Sequence, residues 1–374
     1  MRVLSLLWGF SLGGVGKCAL TYDRLNELPG FEIQTACIHG IDWTCDLDAL
    51  RDIDAILLPI NGRSDFSWIH RCVDLIENFV PDLVFVHGFN GPVVARILQR
   101  KSRYYFDFVC SYHGSYHSPD VSRVFLAPIF NMGMEYIYRH YAVGVLAVAH
   151  YCKEYLVGHR VPADKITVVH NGLPDLQKIN SLSRSDIGLL ESDFVIGIAS
   201  RLDPIKGVNY MIDAFSKIVH RFVHARLVVV GTGTCDKKLK SQCVCLGIES
   251  YVSFVGYQSN IDAWLNIFDV FALPSLAEYH SIALLEAMRA GKAIVSTDVG
   301  GNTESIVHEK NGLIVPSADA DALENALAQF IENPHLQAML GESARKRFKE
   351  SFTEHQMIKK ISNWMNDCNY QNRV

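Results

Sequence analysis

Apolar residues along this chain gather in short runs, and between the runs they recur every three or four positions. In the first half the runs are Val3 to Leu7, Ile33 to Ile38, Ala55 to Ile60, Leu83 to His87, Tyr105 to Tyr112, Val145 to Ala149 and Ile166 to His170. In the second they are Phe194 to Ala199, Leu227 to Val230, Val252 to Val255, Val270 to Leu273, Ala293 to Ser296 and Leu313 to Val315. Runs of this kind, rich in Val, Ile and Leu and bounded by turn residues, predict strands of parallel sheets buried on both faces. Helical spacing is clear over Val208 to His220, Ile282 to Ala290, Ala322 to Ile331 and Met357 to Met365. The alternation argues for an α/β architecture with helices on both faces of each sheet. The stretch Leu173 to Asp193 is polar, turn-rich and without a period, so it reads as the connection between two Rossmann-like halves. No repeat of fixed period and no low-complexity tract interrupts this plan. In such folds ligands sit beyond the carboxyl ends of the strands, and the expected active site is the cleft between the halves.

Composition changes this picture little. A length of 374 residues suits two domains, and 49% hydrophobic with 20% charged residues is the balance of a compact enzyme. The net charge of -5 and the absence of basic runs give no reason to expect nucleic acid as a partner. The ten cysteines are scattered, and Cys243 and Cys245 lack the two-residue gap of redox and zinc motifs, which suits reduced thiols in a cytoplasmic protein. Met1 to Leu12 superficially resembles a signal peptide, but the glycines that follow fit a ligand loop better. The longest apolar run elsewhere, Tyr141 to Cys152, falls short of the roughly 20 residues that a bilayer requires.

Three segments carry candidate chemistry. Between Pro274 and Lys292, a loop after the run Val270 to Leu273 presents Glu278, and a helix then begins near Ser281. The first-turn amides of Ser281, Ile282 and Ala283, at the positive end of the helix dipole, suit phosphate oxygens. Glu286 follows about one turn later, within reach of a ribose beside the same phosphate. After Phe194 to Ala199 come Arg201 and Lys206, a planar fork and a point charge for phosphate. After Val3 to Leu7 comes Ser11-Leu12-Gly13-Gly14-Val15-Gly16-Lys17, where glycines allow close backbone approach to a ligand. A Walker A loop would need glycine at Ser11 and Ser or Thr at Cys18, so that reading fails.

Glu278 and Glu286, with the helix start between them, resemble the donor-binding signature of glycosyltransferase family 4. The pair Arg201 and Lys206 matches that family in spacing, as do Val229 to Gly233, Val252 to Tyr257 and Gly300 to Glu304. The resemblance runs from Gly13 to about Val315. It implies a GT-B fold and a retaining, nucleotide-sugar-dependent hexosyltransferase working in polysaccharide or glycoconjugate synthesis. In its terms Glu278 contacts the donor sugar and Glu286 the ribose. Tyr257 lies beside the base, the loop of Gly13 and Gly14 faces the diphosphate, and His113, ahead of His117 and His87, contacts the sugar. The expected division is an acceptor-side domain over 1–172, joined by a C-terminal helix over 353–370, and a donor domain over 173–352. One departure stands out: the small, glycine-containing triplet after the first Glu is here Tyr279-His280-Ser281, which bears on sugar preference. His170-Asn171-Gly172 resembles the family's interdomain turn and needs only turn chemistry.

Three Asp-x-Asp tripeptides, at Asp46 to Asp48, Asp52 to Asp54 and Asp319 to Asp321, lie away from the expected site. The expectation is therefore no metal and no cofactor, with Arg201, Lys206 and the helix amides balancing the diphosphate. The expected acceptor is a glycan, a lipid-linked glycan or a small molecule. The aromatic-rich stretch Arg123 to Arg160 is the candidate for peripheral contact at the inner face of the cell membrane. Two rival readings remain: an epimerase or phosphorylase on the same scaffold, and a non-catalytic binder of sugar nucleotides.

Overall fold

The computed structural model describes residues 1–9, 14–40, 50–62, 64–88, 90–114, 127–175 and 182–371. They form two compact units, Met1–Gly172 with Glu354–Val374, and Leu173–Thr353. The first holds strands β1 (Arg2–Trp8), β2 (Glu32–Gly40), β3 (Ile56–Ile60), β4 (Leu83–His87), β5 (Asp107–Tyr112), β6 (Gly144–Ala147) and β7 (Ile166–Val168). They pair in parallel in the order β3-β2-β1-β4-β5-β6-β7. The second holds β8 (Phe194–Ala199), β9 (Ala225–Val230), β10 (Val252–Gly256), β11 (Val270–Leu273), β12 (Ala293–Thr297) and β13 (Leu313–Val315), parallel in the order β10-β9-β8-β11-β12-β13. Every predicted strand exists, with ends moved by up to two residues. Both sheets reverse their strand order once, between β1 and β4 and between β8 and β11, which leaves a crevice at the strand ends there.

Burial explains the strands. Val3 and Leu4, Val84 and Phe85, Phe108 and Val109, Val195 and Ile196, Val228 and Val229, and Ile294 and Val295 are all within 2% of full burial, so successive residues point into apolar layers on opposite faces. The helix Val208–Arg221 covers one face of the second sheet with Val208, Met211, Ile212, Phe215, Ile218 and Val219, the three-and-four spacing seen in the sequence. The closing helix, Glu354–Gln371, packs within the first unit. Trp364 lies 5.9 Å from Phe85 ring to ring, and Met357 Sδ accepts a bond from the Gly172 amide. Gly144 in β6 makes room for it, because a Cβ there would sit 2.9 Å from Cys368 Sγ.

The helix Pro334–Ser351 was not singled out from the sequence. Its buried residues are Leu340, Gly341, Ala344 and Phe348, too few and too small to produce a strong apolar period. It packs almost backbone to backbone, since a Cβ on Gly341 would stand 2.5 Å from the Gly291 carbonyl oxygen. Asp319 caps the helix Ala320–Glu332 by accepting from the Ala322 amide at 2.9 Å, and Asp321 pairs with Lys217. Those carboxylates have structural work. Asp46 to Asp48 lie outside the described residues. Nine described cysteines are free thiols, and among the described residues no helix is long and apolar enough to cross a membrane.

Candidate functional site

In the second unit the reversal between β8 and β11 places two loops side by side, Ser200 to Gly207 and Pro274 to Ser281. Three contacts hold them together. The Leu276 amide donates to the Ile205 carbonyl at 2.8 Å. Gly207, at φ 61°, lies so close to Pro274 that a Cβ would stand 2.0 Å from its carbonyl oxygen. Lys206 Nζ donates to Glu278 Oε1 at 2.6 Å.

Glu278 is held twice. Its Oε1 also accepts from Ser275 Oγ at 2.7 Å, while Oε2 takes no bond from the described residues. The side chains of Lys206 and Glu278 are only 18% and 9% exposed, so each charge depends on the other for solvation. The arrangement fixes the carboxylate through Oε1 beside a cation and leaves Oε2 without a bond from the described residues.

Arg201 stands apart from that pair. Its guanidinium meets Asp203 at 2.8 Å but is 74% exposed, a contact that water weakens and a ligand phosphate can displace cheaply. Asp203 also accepts from Thr234 Oγ1 at 3.1 Å, which joins this loop to the one after β9. Asp203 and Ser275 are the residues that sequence reading missed here. Nothing in their spacing marks them; only the folded loops bring them to the two cations and to Glu278.

The helix Ile282–Arg289 opens at the same crevice. Ser281 is its N-cap, with its hydroxyl accepting from the Leu284 amide at 3.4 Å, and Ile282 and Ala283 form its first turn. Glu286 is buried one turn further in. Of the unusual triplet, His280 is turned into the unit, 3.2 Å from Ser305 Oγ and 5.6 Å from the Phe352 ring. Two members of the triplet are thus turned to internal contacts, His280 to Ser305 and Ser281 to the helix start. Tyr257 is 61% exposed just beyond β10, two strands from β8 and so roughly 10 Å along the row of strand ends.

In the first unit His113 follows β5, and it does not stand alone. His113 Nε2 lies 3.1 Å from Ser111 Oγ, Ser111 Oγ 3.1 Å from His87 Nδ1, and His87 Nε2 3.0 Å from Ser5 Oγ. The row crosses β5, β4 and β1. His87 is buried, stacked on Tyr22 at 5.0 Å and edge-on to Phe85 at 4.1 Å. Burial pushes the His87 imidazole well below its ordinary value and His113 down to about 4, so both rings are neutral near pH 7. His87, ranked below His113 from sequence, thus belongs to the same array, as do Ser5 and Ser111. A legible signal existed: each is a polar residue within or ending an otherwise apolar strand run. Gly13 and His117 lie outside the described residues, and Gly14 begins the helix Gly14–Tyr22 that follows β1.

Comparison with known proteins adds the family. Residues 181–347 match the family described as glycosyl transferases group 1, and residues 47–175 match glycosyltransferase family 4. An uncharacterized glycosyltransferase of Methanocaldococcus jannaschii is 30% identical over 241 residues, 62% of this chain and 61% of that protein. N-acetyl-alpha-D-glucosaminyl L-malate synthase of Bacillus anthracis is 30% identical over 175 residues, 47% of this chain and 46% of that one. The alignments thus span about half to three fifths of these curated relatives. The crystal structure of Anabaena HepE in complex with UDP and glucose superposes with a TM-score of 0.85 at 20% identity, covering 98% of this chain and 99% of that one. The two family matches together take in most of the chain, on two parallel sheets that share the fold of that structure, and the chain belongs to the group 1, family 4 glycosyltransferases of GT-B fold.

Proposed function

We propose that this protein is a retaining glycosyltransferase that moves a hexose from a nucleoside diphosphate sugar to a glycan, lipid-linked glycan or small acceptor in glycoconjugate synthesis. The observation that carries the reading is the cluster of Lys206, Glu278 and Ser275 at the β8–β11 reversal, beside the start of the helix Ile282–Arg289. The diphosphate lies against the amides of Ser281, Ile282 and Ala283, where the helix dipole favours negative charge. Arg201 leaves Asp203 for phosphate, and Lys206 shares its charge between phosphate and Glu278. Glu278 Oε2 accepts from sugar hydroxyls, Glu286 from the ribose, and Tyr257 flanks the base. With these groups balancing the diphosphate, the reaction proceeds without a metal or cofactor.

Glu278 is already bonded through Oε1 to a lysine and a serine, an arrangement suited to orienting a sugar rather than to attacking it. In the favoured route the bond from the anomeric carbon to the phosphate oxygen breaks as the acceptor hydroxyl bonds that carbon on the same face. The acceptor's proton passes to the departing phosphate. The cations stabilise the charge that develops there.

Calorimetric titration with UDP, GDP and ADP, then with their sugars, identifies the donor. UDP is expected to bind, in line with the UDP and glucose seen with HepE. Nucleotide release that requires both donor and acceptor supports transfer. Turnover of donor alone favours an epimerase, dependence on inorganic phosphate a phosphorylase, and binding without turnover a non-catalytic binder.

A cytoplasmic protein touching the membrane periphery is favoured by one surface. The helix Ala127–His140 exposes Ile129, Phe130, Met132 and Tyr136, and the helix Gly91–Lys101 packed beside it carries Arg96, Arg100 and Lys101. Arg96 lies 3.8 Å over the Tyr141 ring. The one acid in the two helices, Glu135, is buried and accepts from the Tyr155 hydroxyl. Apolar anchors edged by arginines suit an anionic interface. Sedimentation with anionic vesicles is expected to carry the protein down, several-fold less with neutral vesicles; failure to bind anionic vesicles removes this part of the reading.

A further inference from the structure

We infer that the row Ser5, His87, Ser111 fixes the tautomer of His113, holding its Nδ1 as a hydrogen-bond donor toward a ligand oxygen. The three contacts of 3.0 to 3.1 Å admit two directions of donation. In one, Ser5 donates to His87 Nε2, His87 Nδ1 donates to Ser111 Oγ, and Ser111 donates to His113 Nε2. His113 then carries its proton on Nδ1. In the other, every bond reverses: His113 Nε2 donates to Ser111, Ser111 to His87 Nδ1, and His87 Nε2 to Ser5.

The buried end of the row decides between them. Ser5 is 1% exposed, and among the described residues its hydroxyl has one hydrogen-bond partner, His87. In the reversed direction the Ser5 proton has no acceptor among the described residues, and a buried donor left unmade is costly. In the forward direction each of the three protons is used. Both rings are neutral, so neither histidine donates from both nitrogens. Ser111, 2% exposed, would leave its own proton unused if its oxygen accepted from both rings, so the choice passes along the row. Tyr22 and Phe85 hold the His87 ring against rotation. Ser5, His87 and Ser111 are therefore positioning residues, acting on His113 from as far as two strands away. To the functional reading above this adds the form in which His113 would meet a ligand, with its proton on Nδ1.

The test reads the tautomer itself, in the ligand-free full chain labelled with 15N, by long-range proton–nitrogen correlation across each imidazole. His113→Gln assigns the signal. The expected result is a protonated Nδ1 and an unprotonated Nε2 on His113. Ser5→Ala removes the proton that decides the direction, so His113 is expected to become a mixture of tautomers while its fold, judged by the remaining spectrum, is kept. Ser111→Ala is expected to do the same, and Ser111→Thr, which keeps a hydroxyl, to restore the native state. A wild-type His113 protonated on Nε2, or a tautomer that Ser5→Ala and Ser111→Ala leave unchanged, overturns the inference. Because no substrate is present, that outcome leaves the transferase reading standing, and a missing transferase activity leaves the tautomer result standing.

Discussion

Glu278→Ala is expected to lower turnover by about 10²–10³-fold while leaving affinity for the nucleoside diphosphate within a few-fold of the native protein. The asymmetry follows from what each partner loses. The carboxylate offers Oε2 to a ligand and has nothing favourable to give a phosphate, so its removal withdraws an interaction from the sugar alone. Lys206, now relieved of its 2.6 Å partner, keeps its whole charge for phosphate. Binding of the bare nucleotide is thus expected to hold or tighten. Ser275→Ala, which removes one of the two groups on Oε1, is expected to show the same pattern at smaller size. Initial-rate measurements with the identified donor, alongside calorimetry with the nucleotide, separate the two effects. Undiminished turnover in Glu278→Ala would end the assignment of this residue. Loss of nucleotide binding in step with turnover would make the pair a structural tie between loops instead.

Gly207→Ala is expected to destabilise the second unit by about 3 kcal/mol or more and to abolish nucleotide binding, although glycine and alanine differ by one methyl group. Two costs combine. The backbone at φ 61° is left-handed, which an L side chain adopts at about 1–2 kcal/mol. The added Cβ also lands 2.0 Å from the Pro274 carbonyl oxygen, a backbone atom that moves only if the loop carrying Glu278 moves with it. Gly188→Ala is the control. It has φ 76° with nothing within 4 Å of the new Cβ, so only the conformational cost applies. Chemical denaturation of the two variants should therefore differ by the cost of close approach alone. Equal midpoints would show that the loops yield freely and that the contact between Gly207 and Pro274 does not hold the site.

Much of the site was legible because its chemistry is local. The glutamates, the helix start between them, and the loop with Arg201 and Lys206 each occupy one short segment, and phosphate recognition by helix amides and cations has a recognisable local form. The partners were not legible. Lys206 and Glu278 are 72 positions apart, and the sequence assigned both to one donor without indicating that they bond each other. Ser275 gained its role only through the turn that aims it at Oε1. The unusual triplet shows the limit from the other side. From sequence, Tyr279, His280 and Ser281 all bear on the sugar, yet folding directs His280 to Ser305 and Ser281 to the helix amides.

The sequence by itself determined the α/β class, the strand runs and four of the helices, those beginning near Val208, Ile282, Ala320 and Glu354, since buried parallel strands and amphipathic helices write their period directly into the order of residues. It also carried the motifs whose resemblance pointed to the family. The tertiary structure alone decided strand order, and with it the reversals at which the loops meet. It revealed the helix Pro334–Ser351, whose close packing depends on small residues that leave little hydrophobic period. It assembled Ser5, His87, Ser111 and His113, scattered over more than a hundred positions, into one row. Hydrogen bonds across a sheet depend on which strands become neighbours, and that adjacency has no period in the chain.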